Sequence, residues 1–261
     1  RRRIAPQKGW LPMLLAKNLP SNSGVEILGD PLDFDRLYDS LHEIVGEEGA
    51  HPTYDGAGNR VLALCYELRH ALMGDREIEF IDNGMDGEQK RRMAVLAPDR
   101  NVYYKIRLLW PEMLFVLAAL HDYVRMYART KSKDYYDLMM QPKVAWDPTI
   151  TQVRQFQSAV AGCLQELVSP AAYSRMTKLL CKDYPWLGGY TWQYVDVLNH
   201  QFYAMSPEKR LKQLPTMAKR LGDWGREYQA VRTAVQAAAR HHGVHPDEIA
   251  PPVEPIEDFQ W

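Results

Sequence analysis

The chain has 261 residues, which is enough for one large domain or two modest ones. Its composition, 46% apolar and 25% charged residues, excludes a disordered polypeptide. The formal net charge of -1 excludes attraction of the whole chain to nucleic acid or to an anionic membrane, so any such binding needs a local patch. The longest apolar run, Met113–Leu120, is far shorter than the roughly 20 residues that cross a bilayer.

The N-terminus and the cysteines together predict a cytoplasmic protein. The sequence begins with three arginines and lacks the apolar segment of a signal peptide. Cys65, Cys163 and Cys181 are far apart, form no CxxC motif and are flanked by apolar residues. This pattern favours three buried, reduced thiols over a disulfide or a reactive thiol.

The first part of the chain predicts a β-hairpin followed by a helix. Two short apolar stretches, Leu11–Ala16 and Val25–Leu28, are separated by turn-forming residues and therefore predict paired strands. Asp33 is the predicted N-cap of a helix that runs to about Val45, because apolar residues recur there at helical spacing. Gly46 is expected to end this helix.

A second helix, three strands and a long apolar helix are predicted next. The second helix is expected from about Asn59, its N-cap, to Met73. Strand patterns occur at Glu77–Ile81, Met93–Ala97 and Asn101–Leu109, the last two joined by a turn at Pro98–Asn101. Pro111 suits the first position of a helix to about Arg129, which is apolar on most sides and is the expected centre of the domain.

The remainder of the chain predicts helices, and the last of them carries an apolar stripe. Helices are predicted at residues 148–168, 171–181 and 191–205, and from 207 until Pro215 interrupts the pattern. In the final helix, apolar residues then recur at alternating spacings of four and three, as in a heptad repeat. The six residues that we name the C-terminal stripe are Met217, Leu221, Trp224, Tyr228, Val231 and Val235. We expect the stripe to bind a protein partner or a second copy of the chain.

These elements predict an α+β fold, a mainly antiparallel sheet with about three helices followed by an α-helical bundle. The predicted divisions are a basic extension at 1–12, an α+β domain at 13–130, a connection at 131–146, a helical domain at 147–243 and an acidic, Pro-rich tail at 244–261. The tail is expected to be extended or disordered.

A family resemblance covers only the N-terminal half. Its most distinctive block reads VLALCYELRHALMGDRE and runs from Val61 to Glu77, with further segments at Val25–Asp30, Leu37–Gly46 and Leu109–Phe115. Together these segments resemble a widespread bacterial family, a domain of unknown function, over about residues 13–130. The resemblance implies a bacterial origin and brings no known catalytic residues.

The densest polar constellation ends the second predicted helix. His70, followed by Asp75 and Glu77, places an imidazole near two carboxylates, a grouping that suits general acid–base chemistry or a metal. The structural alternative is that Arg69 and His70 favour the helix dipole, while Asp75 and Arg76 make turn contacts. The spacing matches no catalytic signature, so the structural alternative is favoured.

Three weaker patterns also have structural alternatives. The glycine-bearing segment Tyr54–Arg60 is able to hold an anion on backbone N–H groups, but a plain loop is favoured because no strand–GxGxxG–helix context surrounds it. His241 and His245 have the spacing of a shared metal, but the helix is expected to end between them, and no metal is predicted. Arg36 and His42 have a spacing found in some helical ribonucleases, yet they do not share a helix face.

Aromatic and charged residues are unevenly distributed. An aromatic cluster suits either the core, which is favoured, or stacking on bases: Tyr184, Trp186, Tyr190, Trp192, Tyr194, Phe202 and Tyr203. Basic residues outnumber acidic ones between Lys209 and Arg240, whereas residues 24–58 are strongly acidic. The two halves can therefore dock on each other, or each can find a partner of opposite charge.

Three functional hypotheses follow from the sequence. The first is a non-enzymatic protein-binding or regulatory component of a larger assembly, because the C-terminal stripe accompanies no catalytic signature. The second is a hydrolytic or nucleic-acid-processing enzyme that uses His70, Asp75 and Glu77. The third is a nucleic-acid-binding accessory protein that uses the basic C-terminal helices and has salt-dependent affinity. Neither a cofactor nor membrane association is predicted.

Overall fold

The computed structural model describes residues 14–47, 49–132, 134, 136–182, 189–250, 253, 256 and 261. The predicted basic extension, and Tyr184 and Trp186 of the aromatic cluster, lie outside these residues. The strands and α-helices are β1 (Leu14–Asn18), β2 (Gly24–Gly29), α1 (Pro31–Val45), α2 (Asp55–Leu72), β3 (Ile78–Asp82), α3 (Gly87–Met93), β4 (Arg100–Leu109), α4 (Trp110–Lys131), α5 (Pro142–Ala145), α6 (Pro148–Leu167), α7 (Pro170–Leu180), α8 (Thr191–Tyr203), α9 (Pro207–Asp223) and α10 (Arg226–His242).

The described strands form an antiparallel sheet in the order β1–β2–β4–β3, and mostly helical segments follow it, which confirms the predicted α+β class. The hairpin prediction is also confirmed, since Leu14 of β1 pairs with Gly29 of β2. The β2–β4 pairing depends on a glycine. A Cβ atom at Gly24 would lie only 2.1 Å from the carbonyl oxygen of Leu108, so a larger residue cannot be accommodated there without moving backbone.

Helix α4 is the centre of the core, as predicted. All residues from Met113 to Leu120 are buried, and the helix contacts α1, α2, α6, α8 and α9. One described hydrophobic cluster includes both Leu14 in β1 and Val235 in α10. These contacts place the first turn of α4 between α2 and α8. The division into two domains stays a prediction. None of the described helices is both long and apolar enough to span a membrane.

The predicted starts of the first two helices are wrong. Helix α1 begins at Pro31, with Asp30 as its N-cap, and Asp33 is instead the third helical residue of a capping box. Helix α2 begins at Asp55, so Asn59 lies inside the helix and is not its N-cap. The earlier start of α2 brings Arg60, which was expected near the helix start, to its second turn.

The strand predicted at Met93–Ala97 is also wrong. Strand β3 pairs directly with β4, and the chain between them forms α3, which is capped by Asp86. The residues after α3 have no strand to pair with, and Leu96 is fully exposed. The hairpin turn expected at Pro98–Asn101 is therefore also wrong, because α3, and not a strand, precedes it and β4 already begins at Arg100.

The C-terminal stripe lies on two helices and not on one. Helix α9 continues through Pro215 and ends at Asp223, and Trp224 then adopts a left-handed conformation with φ 44° before α10 begins. Apart from the half-buried Trp224, every stripe residue is at most 5% exposed. The stripe is thus part of the hydrophobic core of this chain, and its binding of a protein partner or a second copy stays a prediction.

Candidate functional site: a cavity with a carboxylate pair

The structure brings together only part of the polar constellation that ends α2. The Nδ1 atom of His70 lies 3.0 Å from Oδ2 of Asp75. Glu77 instead accepts two hydrogen bonds from Arg107 of β4, at 2.9 and 2.6 Å. Arg69 packs over the ring of Tyr66, with 5.6 Å between its Cζ atom and the ring centroid.

Arg76 completes this set of ion pairs with two hydrogen bonds to Glu67, at 2.7 and 3.0 Å. Asp75, Arg76 and Glu77 line an open cleft of about 570 Å³, whereas His70 is not among its lining residues. The constellation therefore mainly fixes the end of α2 against β4. The hydrolytic hypothesis based on His70, Asp75 and Glu77 stays a prediction.

The weaker patterns are placed in structural roles. Residues 55–60 are helical, so they do not form an anion-binding loop. Nδ1 of His245 lies 3.2 Å from Oδ2 of Asp247, and no group of three metal-ligating residues occurs in the described part of the chain. The ring of His42 packs against Tyr38, and among the described contacts none joins it to Arg36.

The cysteine and aromatic predictions are only partly confirmed. Cys65 and Cys163 are buried free thiols, and burial raises the pKa of Cys65 to about 12 and that of Cys163 to about 11. Cys181 is exposed, contrary to the prediction. Within the described aromatic cluster, Tyr194 and Phe202 are core residues.

A cavity of about 830 Å³ lies where α2, the end of β4, the first turn of α4 and α8 meet. Its wall is largely apolar and includes Ala63, Leu64, Leu108 and Leu109. The tail, expected to be extended or disordered, also contributes: Val253, Ile256 and Trp261 line the cavity. The described tail residues therefore pack against the body of the protein at this site.

One part of the wall carries a charged network. Arg60 of α2 donates a hydrogen bond from Nη1 to Oε2 of Glu112, at 2.9 Å, and pairs through Nη2 with Asp196 of α8. Nη2 also donates to the carbonyl oxygen of Trp192, at 2.9 Å. Asn199 donates to Oε2 of Glu112 at 2.9 Å, and its Oδ1 accepts from the backbone N–H of Glu112 at 3.1 Å. Asn199 thus accepts a hydrogen bond from the backbone N–H of Glu112, which has no partner within the helix, and also holds the Glu112 carboxylate in place.

The network leaves carboxylate oxygens available to the cavity. The hydrogen bonds to the Glu112 side chain both end on Oε2, and the only described bond to the Asp196 side chain ends on Oδ2. The Glu112 side chain is 15% exposed and that of Asp196 is 26% exposed. One oxygen of each carboxylate therefore remains without a described hydrogen-bond donor.

Burial controls the electrostatics of this network. Burial is the largest influence on Glu112, and it raises the pKa of this carboxyl group although Arg60 and Asn199 act in the opposite direction. Burial also opposes the charge of Arg60, but the carboxylates of Glu112 and Asp196 outweigh it and raise the arginine pKa. Arg60 therefore stays charged, and two carboxylates share a single cation.

The sequence analysis missed Glu112, Asp196 and Asn199. Glu112 lies in the first turn of a helix, where an acidic residue is ordinarily explained by the helix dipole. The sequence signal for a functional role of Glu112 was its position as an acidic residue in a helix that is otherwise predicted to be buried. Asp196 is the only acidic residue of the apolar helix α8, which is a similar signal. A buried carboxylate needs a partner, and Arg60 was identified only as part of a loop.

Fold and site together define an α+β protein with a four-stranded antiparallel sheet and a mainly apolar cavity that contains a carboxylate pair. The chain belongs to the family described as domain of unknown function (DUF6904), which it matches over residues 14–261. The predicted restriction of the family resemblance to residues 13–130 is therefore wrong, since the match includes the helical C-terminal half. No curated protein and no solved structure matches the chain.

Proposed function

We propose that this protein is a non-enzymatic binding protein whose cavity takes a small molecule with an apolar body and a protonated amine. The observation that carries the proposal is the network in the cavity wall, where Glu112 and Asp196 both pair with Arg60 and each keeps one open oxygen. Arg107 and Glu67 also line the cavity, but Arg107 pairs with Glu77 and Glu67 pairs with Arg76. The apolar remainder of the lining supplies a surface for the body of the ligand.

The size of the cavity supports a small-molecule ligand. Small-molecule sites commonly enclose about 300–1,000 Å³ and combine apolar walls with a few polar groups. The volume of about 830 Å³ falls in that range. Arg60, Glu112, Asp196 and Asn199 form one hydrogen-bonded group in the wall, and this group would fix the orientation of the ligand.

The chemistry of the open oxygens supports an amine. A carboxylate oxygen accepts hydrogen bonds and cannot donate them, so the ligand group that faces it must be a donor. A charged donor that leaves water needs an opposite charge in compensation. When both acids are ionised, they carry one negative charge more than Arg60 neutralises. A protonated amine would balance this charge and oppose the rise that burial causes in the pKa of Glu112.

The proposal is tested with a series of phenylalkylamines and the phenylalkanols of the same chain lengths, by titration calorimetry. We expect the best amine to bind at least about tenfold more tightly than its alcohol, since a hydrogen bond to a charged group contributes about 1.5–3 kcal/mol. Glu112→Gln should remove most of this preference, because the side chain keeps its shape and loses its charge. Glu166→Gln, at an exposed position on α6, is the matched control and should bind as the wild type does.

Equal binding of amines and alcohols, or no binding of either series, would overturn the proposal. An unchanged amine preference in Glu112→Gln would do the same. The charge of Asp196 gives an independent check, since Asp196→Asn should also lower the preference while Glu112 still accepts from Arg60.

A role in a larger assembly also stays a proposal, but the surface for it changes. The C-terminal stripe is buried, so a protein partner would have to contact other residues of the helical region. Arg226, Arg232 and Arg240 lie exposed on α10 and support an acidic partner. Nucleic acid binding at the same side chains is the alternative. Binding of an RNA or DNA oligonucleotide with an affinity that falls with salt, together with no binding of an acidic peptide, would favour this alternative.

A further inference from the structure

A second cavity, of about 410 Å³, lies beside the C-terminal half of α4 and has the opposite charge. Three arginines line it, Arg125 and Arg129 from α4 and Arg154 from α6, and Asp137 is the only acidic residue among its described lining. The helix rises by 1.5 Å per residue, so Arg125 lies about 20 Å along α4 from Glu112. This basic cavity is therefore separate from the carboxylate pair.

Helical geometry explains why the cations converge. His121, Arg125 and Arg129 follow one another at intervals of four residues, so they lie on one face of α4. Arg154 approaches from the neighbouring helix and donates a hydrogen bond to Nδ1 of His121 at 3.0 Å. It also donates to Oε1 of Gln157 at 2.9 Å. These contacts orient the guanidinium group toward α4 without neutralising it.

The charge of this cavity is only partly balanced. Arg125 lies 3.8 Å from Asp122 on its own helix, whereas the other two arginines have no such partner among the described residues. Arg154 is half-buried and has no carboxylate partner among the described residues, and burial lowers its pKa from the ordinary arginine value. Arg129 is exposed and makes no ion pair within the described part of the chain. A buried or half-buried cation without an anion is unfavourable, so the site is suited to an anion from solution.

We propose that this basic cavity binds the phosphate group of a phosphorylated molecule. Arginine forks match phosphate oxygens through paired N–H donors, and three of them from two helices approach the anion from different directions. The cavity is larger than a phosphate ion, and Leu138, Met139 and Met140 provide an apolar wall for the rest of the ligand. The phosphate could belong to a soluble metabolite or to a lipid headgroup, and these share the same recognition.

The test uses inorganic pyrophosphate as the soluble probe, titrated calorimetrically in a phosphate-free buffer. The second arm uses sedimentation with phosphatidylcholine vesicles that contain phosphatidic acid, compared with phosphatidylcholine alone. We expect binding in at least one arm, weakened about tenfold or more in Arg129→Gln and in Arg154→Gln, because each removes a charge-assisted contact. Arg232→Gln, an exposed arginine on α10, is the matched control and should leave binding unchanged.

The outcomes separate cleanly. Binding of pyrophosphate that depends on Arg129 supports a soluble ligand, and Arg129-dependent binding only to the phosphatidic acid vesicles supports a lipid headgroup. Absence of binding in both arms, or equal loss in Arg232→Gln, overturns the proposal. Arg129 is exposed, so its substitution keeps the test valid even where Arg154→Gln fails to fold.

Discussion

Asp33 is a buried carboxyl group that completes the capping box at the start of α1. It was expected to be the N-cap of α1, but Pro31 takes the first helical position, and this leaves Asp30 as the cap. The backbone N–H of Asp30 donates to Asp33 at 3.1 Å, and that of Asp33 donates to Asp30 at 2.8 Å. The Asp30–Pro31 pair was visible in the sequence, but the burial of Asp33 at 4% exposure depends on tertiary packing.

The first prediction concerns the pH dependence of stability. Burial chiefly raises the pKa of Asp33 from 3.8 to about 6 in the folded protein, so the folded state binds this proton more tightly than the unfolded state does. The contribution of this carboxyl group to the free energy of unfolding should therefore fall as pH rises from 3.8 to about 6. At about 1.4 kcal/mol for each pH unit between the two pKa values, the contribution is about 3 kcal/mol.

Asp33→Asn should remove this contribution, because the amide still accepts from Asp30 but carries no titratable group. Urea unfolding at several pH values measures it, with Asp35→Asn at an exposed position of α1 as the control. A variant at Asp33 with the same decline as the wild type would show that this carboxyl group does not carry the effect.

At the scale of the secondary-structure elements, the close packing of α2 against α8 depends on Gly56. A Cβ atom at Gly56 would lie 2.3 Å from Nε1 of Trp192, and the carbonyl oxygen of Trp192 accepts from Arg60. Gly56→Ala should thus destabilise the protein by about 1–3 kcal/mol through overpacking and weaken amine binding in the cavity. Chemical denaturation and the calorimetric titration measure the two effects.

Gly162 offers a matched comparison within another helix. A Cβ atom there would meet nothing within 4 Å, so Gly162→Ala should stabilise α6 by about 0.5–1 kcal/mol through helix propensity. If Gly56→Ala raised the free energy of unfolding as Gly162→Ala is expected to do, the cavity would not depend on the close approach of α2 and α8.

Element type was predictable where local patterns and tertiary packing agree. The apolar pattern after Pro111 correctly indicates the buried helix α4, because a helix that is apolar on most sides must be enclosed. The apolar run Met93–Ala97 misled, since an isolated run contains no information about whether a strand partner is available. The spacing of the C-terminal stripe likewise continues across Trp224, although the backbone reverses its helical sense there.

The carboxylate pair was not predictable because the fold assembles it from distant segments. Arg60 is 52 residues from Glu112 and 136 residues from Asp196, and each comes from a different helix. Local spacing favoured the group from Glu67 to Glu77 instead, where Glu67 and Arg76 are 9 residues apart and His70 and Asp75 are 5 residues apart. At the scale of the whole molecule, α4 and its neighbours create the cavity, and no single motif represents it.

The last prediction distinguishes an internal stripe from a docking face. Leu221 is fully buried between helices of its own chain, so Leu221→Ala should lower the free energy of unfolding by about 2–5 kcal/mol. The exposed Leu32 of α1 is the control, and Leu32→Ala should change stability little. Denaturation is followed by circular dichroism across a roughly hundredfold range of protein concentration.

The dependence of the unfolding midpoint on protein concentration distinguishes a stripe buried within one chain from a stripe shared by two copies. If the stripe serves this chain alone, the unfolding midpoints of wild type and Leu221→Ala are each independent of concentration, because no association accompanies folding. If the stripe instead packs between two copies, the wild-type midpoint rises with concentration and Leu221→Ala reduces that rise. The burial of Met217, Tyr228, Val231 and Val235 along with Leu221 leads us to expect constant midpoints, since these five side chains are already covered by their own chain and a second copy would not cover them further.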